Sequence, residues 1–534
     1  MTRLLAFALL SAALMSAAHR PWGPGWIALA AYLPLLYVLS GERSAWRGAL
    51  AGWIASLGTG LVAFEGVAAA VPWAYPLLAV VAGLWMALAG AGYILIARIA
   101  GPTAALWSFP AWWIAAEYLP AQRALFGDFA NGMSAAGYTQ FDTPLMGLAP
   151  WSGISGVSLA VLLINVALFA LLRWRGVAPA LAVLGVVAIA PVLPVPGVTA
   201  GDGQSTPLRV GIAQGAVSSA ASLMARFDRA AAQRMVEPYA ELTAQAAERG
   251  ADLVVWGETA IPQAVRPGHV PDYLADALAP APLALVGGVS YREGRSYNAV
   301  FHWQEGRLRE AYRKRALVPI NEARYTAGEA VPPLEVAGHA VGLGICLDSV
   351  FGSLGRTSVS DGAEILIYVT EDSFAGTTVT PELHLRVTAF RAAETARATV
   401  FASQSGPSAV FDPRGDIVRR LPHGSATGTV APVRPHRGLT PYVRLGDWVG
   451  GLAIVVVLAW LVTGGVGGRE TASRTSCRAR FRRGRLKGSR SQHDIPESAP
   501  CAHPKTSPSS LTSCRQEIDP WHLQQEGHLL PDTM

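Results

Sequence analysis

Hydrophobic and polar positions follow three regimes along this chain. Over residues 1–195 apolar residues run in long stretches almost free of charge, and one more such stretch occupies 447–465. Between them, residues 196–446 carry ordinary acid, base and turn content. A helix needs roughly 20 apolar residues to cross a bilayer. The charge-poor stretches therefore predict about eight spans, at 4–18, 24–40, 47–64, 76–98, 104–119, 156–173, 177–195 and 447–465. The opening "MTRLLAFALLSAALMSAA" also has the basic start and short apolar core of a signal peptide. Seven further spans follow it, which favours a retained first helix. The pattern predicts a transmembrane helical block (1–195), a water-soluble domain (196–446), a closing membrane helix (447–465) and a tail (466–534).

Composition agrees with that division. Of 534 residues, 51% are hydrophobic and only 15% charged, too apolar for an ordinary soluble protein. Arginine in the short loops sets the expected orientation. With the N-terminus cytoplasmic, the inner segments hold Arg3, Arg43, Arg47, Arg98, Arg173 and Arg175, and the outer short loops only Arg20 and Arg123. Residues 196–446 then face outward, on the periplasmic side of a bacterial inner membrane, and the Arg-rich tail lies inside. The net charge of +6 is thus largely a topology signal. No folded or aromatic context accompanies the basic tail, so no nucleic-acid partner is expected. The tail has the composition of a disordered segment, and its cysteines Cys477, Cys501 and Cys514 lack zinc-like spacing. Glu65 and Glu117, in or near spans, are functional candidates by default, and Trp112 and Trp113 read as an interfacial belt.

The soluble segment alternates. Buried-strand patterns occur at 208–215, 251–258, 282–290, 339–346, 363–370 and 398–406. Residues 296–303 and 306–314 form a predicted hairpin across Gln304-Glu305-Gly306, and 408–421 another around Pro413-Arg414-Gly415. Residues 224–249 and 381–397 read as helical, the first kinked or divided at Pro238. Together these predict an α/β layered domain with a mixed sheet. Such sheets gather ligands at the carboxyl ends of their strands, and three chemically capable residues end strands: Glu258, Lys314 and Cys346.

A thiol attacks only as thiolate, and its free pKa near ~8.5 leaves little thiolate at neutral pH. Glu258 is placed to accept the proton, and Lys314 to supply a cation for thiolate and oxyanion. Singly, each has a plain structural reading: an exposed ion pair, and a small hydrophobe filling a core. No histidine ends a strand. His384, on the predicted helix, is the nearest candidate, so a Cys–His pair is not favoured.

The words around these residues, "WGETAIP" (256–262), "YRKRALVPINE" (312–322) and "GICLD" (344–348), resemble the Glu-Lys-Cys blocks of the nitrilase superfamily. With the helical layout, the chain over 1–465 is most similar to the apolipoprotein N-acyltransferases. That resemblance implies a nitrilase-like αββα sandwich on a membrane bundle, with Glu258 as general base, Lys314 as oxyanion-stabilising cation and Cys346 as acylated nucleophile. It implies supporting positions for Glu322, Asp348, Tyr297 and Asn298. Asp348 stands where the family usually has glutamate, and "EDSFAG" (371–376) puts Phe374 and Ala375 where larger aromatics are usual. The implied partners are a phospholipid acyl donor, diacylglyceryl-modified apolipoproteins and membrane lipid, with neither metal nor cofactor, and the expected state is a monomer. A membrane-anchored nitrilase-type amidase and a catalytically silent lipoprotein-binding homologue are the alternatives.

Overall fold

The computed structural model describes residues 1–462 apart from 71, 131, 174–176, 196–198, 201–205, 267–269, 320 and 376–378. The described residues fall within one compact unit, Met1–Thr471. The tail expected over 466–534, with its three cysteines, and the end of the closing span lie outside them.

Helices occupy the predicted apolar stretches: Thr2–His19, Ala45–Ala63, Ala74–Ile99, Pro102–Tyr118, Ala149–Leu172, Val177–Ile189 and Trp448–Val462. Three helical segments, Thr2–His19, Ala74–Ile99 and Pro144–Leu172, are long and apolar enough to cross a membrane, while Gly25–Gly41, Val177–Val192 and Trp448–Val462 are shorter apolar helices. The stretch at 24–40 is broken rather than continuous. A 3₁₀ turn at Gly25–Leu29 precedes a nine-residue helix, Leu33–Gly41, that carries Pro34 in its first turn, where a missing N–H costs nothing. Trp112 and Trp113 do not form an interfacial belt. They are 9% and 1% exposed. Trp113 packs edge-on against Tyr32 at 4.7 Å, and a Cβ at Gly92 would meet the Trp112 ring at 2.4 Å. Tryptophans at helix ends are instead exposed, among them Trp22, Trp26, Trp46 and Trp73. The Glu117 carboxylate accepts from the Ala136 N–H at 3.1 Å.

Two sheets follow. One is seven-stranded, in the spatial order Thr427–Val433, Leu208–Gln214, Leu253–Trp256, Leu283–Arg292, Arg295–Gln304 and Arg307–Arg313, with Ile261–Val265 also paired to Leu283–Arg292. The other is six-stranded: Ile417–Leu421, Ser408–Phe411, Ala398–Ser403, Ile365–Thr370, His339–Ile345 and Leu334–Val336. In each sheet three neighbouring strands are parallel and antiparallel strands flank them. Val210, Val255, Ile345, Ile367 and Val400 fill the space between the sheets, so the single mixed sheet predicted from periodicity is in fact two sheets sharing one apolar face. The outer face of the seven-stranded sheet packs on helices Arg229–Glu248 and Asp272–Leu278. The helical stretch at 224–249 divides at Asp228, whose carboxylate caps the second helix through the Ala230 and Ala231 N–H groups, and not at Pro238, which the helix absorbs.

On its outer face the six-stranded sheet carries helix Val379–Thr395, and that helix is buried on all sides. Leu383, Leu385, Val387 and Phe390 belong to the same apolar core as Trp113 and Val161 of the helical block. A buried polar joint fixes this seam. Glu394 Oε1 accepts from the Arg391 guanidinium at 2.7 Å and from the Ile154 N–H at 2.9 Å, beside the break in helix Ala149–Leu172 where Gly153 has φ 65. Arg391 also donates to the Val350 carbonyl at 3.0 Å. Burial pushes the Glu394 carboxyl up to about 7, against the pull of Arg391. Truncating one partner leaves the other as an uncompensated buried charge, which costs about 3–5 kcal/mol. Arg391→Met is therefore expected to lower the apparent Tm of the full-length protein in detergent markedly, with Arg391→Met/Glu394→Met recovering much of the loss.

Candidate active site

Each strand-end residue follows a strand that stops where the chain must turn: buried strands for Glu258 and Cys346, and the partly exposed edge strand Arg307–Arg313 for Lys314. Strand Leu253–Trp256 ends at Gly257, and a Cβ there would sit 2.4 Å from the Gln404 nitrogen of the opposite sheet. That close approach brings the next residue across the sandwich. Glu258 N–H donates to the Thr370 carbonyl at 3.2 Å, and Glu258 Oε2 accepts from the Glu371 N–H at 2.9 Å. Lys314 follows strand Arg307–Arg313 and extends its ladder through an N–H bond to the Asn298 carbonyl at 2.8 Å. Cys346 follows strand His339–Ile345 and has φ 46, a left-handed backbone rare for a residue with a side chain. Two sheets thus supply one site at the carboxyl ends of their strands.

The Glu258 and Lys314 side chains meet. Lys314 Nζ donates to Glu258 Oε1 at 3.1 Å and to Glu322 Oε1 at 3.0 Å. Asn298 Nδ2 lies between the same two oxygens, at 2.6 and 2.8 Å. Glu322 Oε2 is fixed by the Val318 N–H at 2.7 Å. Lys314 and Asn298 are 1% exposed, Glu258 5% and Cys346 8%.

This burial dominates the electrostatics. It pushes the Glu258 carboxyl up to about 7, with Lys314 opposing and Glu322 adding to the rise. Burial also works against the Lys314 ammonium, but the facing Cys346, Glu258 and Glu322 charges outweigh it and hold its pKa well above the ordinary lysine value. The Cys346 thiol is driven well up by burial, with Lys314 the main group pulling it back. Burial thus favours the neutral thiol and the neighbouring charges favour the ammonium, beside a carboxyl pushed up to about 7.

Asp348 is a staple between these pieces. Its carboxylate accepts from the Ala316 N–H at 2.7 Å, the Tyr312 hydroxyl at 2.9 Å and the Ile345 N–H at 3.0 Å, tying the turn after Cys346 to the chain after Lys314. Tyr297 stands apart from this network: its ring lies beneath the Arg313 guanidinium at 4.0 Å.

The structure also brings in residues that the strand-end reading passed over. His384 Nε2 lies 3.1 Å from the Cys346 carbonyl oxygen and 2.8 Å from Ser349 Oγ, and Ser349 Oγ donates to the same carbonyl at 2.9 Å. His384 Nδ1 lies 3.1 Å from Asp372 Oδ1. Asp372 follows a buried strand, Ile365–Thr370, so the strand-end argument applied there finds it. Cys346, Asp372 and His384 place atoms capable of binding a metal within 4.8 Å of one another. Both ring nitrogens of His384 already have hydrogen-bond partners, so the group is a brace rather than an open cage.

A carbon–nitrogen-hydrolase sandwich seated on apolar helices defines a membrane-associated member of the nitrilase superfamily. Residues 209–437 match the carbon-nitrogen hydrolase family, and residues 11–167 match the apolipoprotein N-acyltransferase N-terminal domain. The apolipoprotein N-acyltransferase of Azotobacter vinelandii is 31% identical over 398 residues, covering 68% of this chain and 74% of that one. That of Methylococcus capsulatus is 30% identical over 403 residues, covering 68% and 74%. Saccharomyces cerevisiae Nit3, of the nitrilase superfamily, aligns with 97% of its own chain and 48% of this one at 22% identity and a TM-score of 0.35. The chain belongs to the apolipoprotein N-acyltransferase family.

Proposed function

We propose that this protein transfers a fatty acyl chain from a membrane phospholipid to the α-amine of the N-terminal S-diacylglyceryl-cysteine of lipoproteins, through a thioester on Cys346. The observation that carries this reading is a thiol at a left-handed strand end, under the electrostatic pull of a buried ammonium that is itself bonded to a carboxylate of near-neutral pKa. Glu258 takes the thiol proton as Sγ attacks the ester carbonyl. The acyl C–O bond breaks, and the proton passes to the departing lysophospholipid oxygen. The lipoprotein amine then attacks the thioester carbon, Glu258 removes a proton from the nitrogen, the C–S bond breaks, and the thiol is reprotonated. Lys314 stabilises the oxyanion in each half-reaction, and Glu322 and Asn298 hold Lys314 and Glu258 in register.

The membrane block has a physical reason in this scheme. Both substrates carry chains that leave a bilayer at a cost of ~0.8 kcal/mol per CH₂, so the site must meet them there. The turn after helix Ala45–Ala63 packs against the catalytic domain: a Cβ on Gly66 would come within 2.6 Å of Thr380, on the same helix as His384. In this reading the protein is a multi-pass monomer of the bacterial inner membrane, with the two sheets on the periplasmic side. Residues 1–195 and 447–465 form the membrane part, and 196–446 the catalytic domain. Purified protein incubated with phospholipid should gain one acyl mass on Cys346 and release lysophospholipid; acyl transfer in the absence of any such adduct sinks the two-step scheme.

The Glu258 base acts only when ionised, and its raised pKa means the ionised fraction falls below about pH 7. The kcat/KM for acyl transfer is therefore expected to rise with pH through about 7. Glu258→Gln should lower the rate by about 10²–10⁴-fold and remove that rise, as read from a pH profile of a fluorescent lipopeptide assay.

A further inference from the structure

The backbone of Cys346 is held where a side-chain-bearing residue is costly, by on the order of 1–3 kcal/mol. Its surroundings supply the restraint. The Cys346 carbonyl takes the Ser349 hydroxyl at 2.9 Å and faces His384 Nε2 at 3.1 Å. Behind the imidazole, Asp372 Oδ1 lies 3.1 Å from Nδ1, and Thr370 Oγ1 donates to Asp372 Oδ2 at 3.2 Å. The Phe401 ring meets the imidazole edge-to-face at 5.0 Å and fixes its plane. Ser349, Asp372 and His384 are 0%, 1% and 4% exposed, so water does not substitute for these bonds. An ionised carboxylate only accepts hydrogen bonds, and a carbonyl only accepts. An imidazole set between the two, with Ser349 giving its own proton to that carbonyl, has a partner for a proton on each nitrogen when it is protonated.

We infer that His384, held by Asp372, is a positioning residue for Cys346: as an imidazolium it grips the carbonyl of the left-handed residue and supplies a second cation to the thiolate, in addition to Lys314. This rests on the reading of Cys346 as nucleophile. The groups facing the imidazole are Asp372 from the loop after strand Ile365–Thr370, Cys346 and Ser349 from the turn after strand His339–Ile345, and Glu258 from the end of strand Leu253–Trp256. Burial works against its charge, and the facing Asp372 carboxylate, the Cys346 carbonyl and Glu258 together outweigh burial and raise the His384 pKa above the ordinary value. The charge is complete at low pH and is lost as pH rises through that raised value, opposite in sense to the ionisation of Glu258. The two together predict a bell-shaped rate profile.

The test uses full-length protein in detergent, with two readouts. One is alkylation of Cys346 by iodoacetamide against pH, resolved by peptide mass spectrometry from the tail cysteines. The other is acyl transfer from phosphatidylethanolamine to a diacylglyceryl peptide. His384→Ala should move the alkylation midpoint to higher pH and lower kcat by roughly 10²-fold, the scale of an ångström-level misplacement, with KM within twofold. His384→Gln, which keeps an amide donor but cannot titrate, should recover part of kcat and lose the high-pH limb. Ser349→Ala should lower kcat without moving that limb. Alkylation midpoint and kcat within twofold of wild type in His384→Gln and Ser349→Ala overturn the inference, even where His384→Ala fails to fold. A His384-dependent alkylation midpoint in protein that transfers no acyl group leaves the brace standing and removes the acyltransferase reading instead.

Discussion

Cys346→Ala is expected to abolish acyl transfer, a loss on the order of 10⁴-fold or more, as for other covalent nucleophiles. The reason is specific to the two-step scheme. A direct attack of the lipoprotein amine on the phospholipid ester needs no sulfur, and such an enzyme would keep much of its rate on losing one. In that scheme the thioester is the only carrier of the chain between two substrates that bind in turn. The variant should fold normally: alanine tolerates φ 46 no worse than cysteine, and losing one buried sulfur costs about 1 kcal/mol. Intact mass spectrometry after incubation with phosphatidylethanolamine should show one acyl chain on the wild type and none on Cys346→Ala. Cys346→Ser should at most accumulate an ester that the amine resolves slowly, because an alkoxide leaves less readily than a thiolate. Transfer by Cys346→Ala at a tenth of the wild-type rate would end the covalent reading.

The half of the site that lies along the sheets is legible in the sequence, and the half that lies beneath them is not. Glu258 and Cys346 announce themselves because a charge or a thiol directly after a buried apolar run must either be exposed or serve a site, while Lys314 ends the largely polar edge strand Arg307–Arg313 and is marked only by its place at a strand end. His384 gives no such signal. It sits in "PELHLRVTAFRAAE", where every residue but Glu382 is buried, so periodicity cannot tell which face looks at Cys346. Only packing of helix Val379–Thr395 across Ile365–Thr370 and Ala398–Ser403 turns His384 inward. The short strand Thr427–Val433 escaped because Gly428 and Pro432 break its pattern, and an edge position is where a strand tolerates proline. The tryptophan pair failed for a related reason: an aromatic near a predicted span end suits an interface or a core equally, and the glycine at 92 that makes room for Trp112 lies on another helix. The family resemblance supplied Glu322 and Asn298, whose roles become physical once both are seen sharing the Lys314 and Glu258 charges.

Those shared charges make Lys314→Met the most damaging change for the fold and the site together. In the wild type one ammonium lies within 3.1 Å of Glu258 and 2.9 Å of Glu322, with all three groups buried. Methionine fills the space of the lysine stem but leaves two carboxylates facing each other around the Asn298 amide. Breaking a buried pair in this way costs about 3–5 kcal/mol. Like charges at close range push at least one carboxyl pKa upward, so Glu258 is expected to titrate above its wild-type value of about 7. A carboxyl with a raised folded pKa binds protons in the native state that the unfolded chain has released, so the penalty is small below about pH 5 and grows as pH rises. The loss of apparent Tm relative to wild type should accordingly be larger at pH 8 than at pH 5. Adding Glu322→Gln removes the repulsion and should restore much of the Tm while leaving acyl transfer near background, because the oxyanion still lacks its cation. Lys314→Met/Glu322→Gln that regains activity along with stability would show that Lys314 holds the fold alone, and would return the oxyanion role to another group.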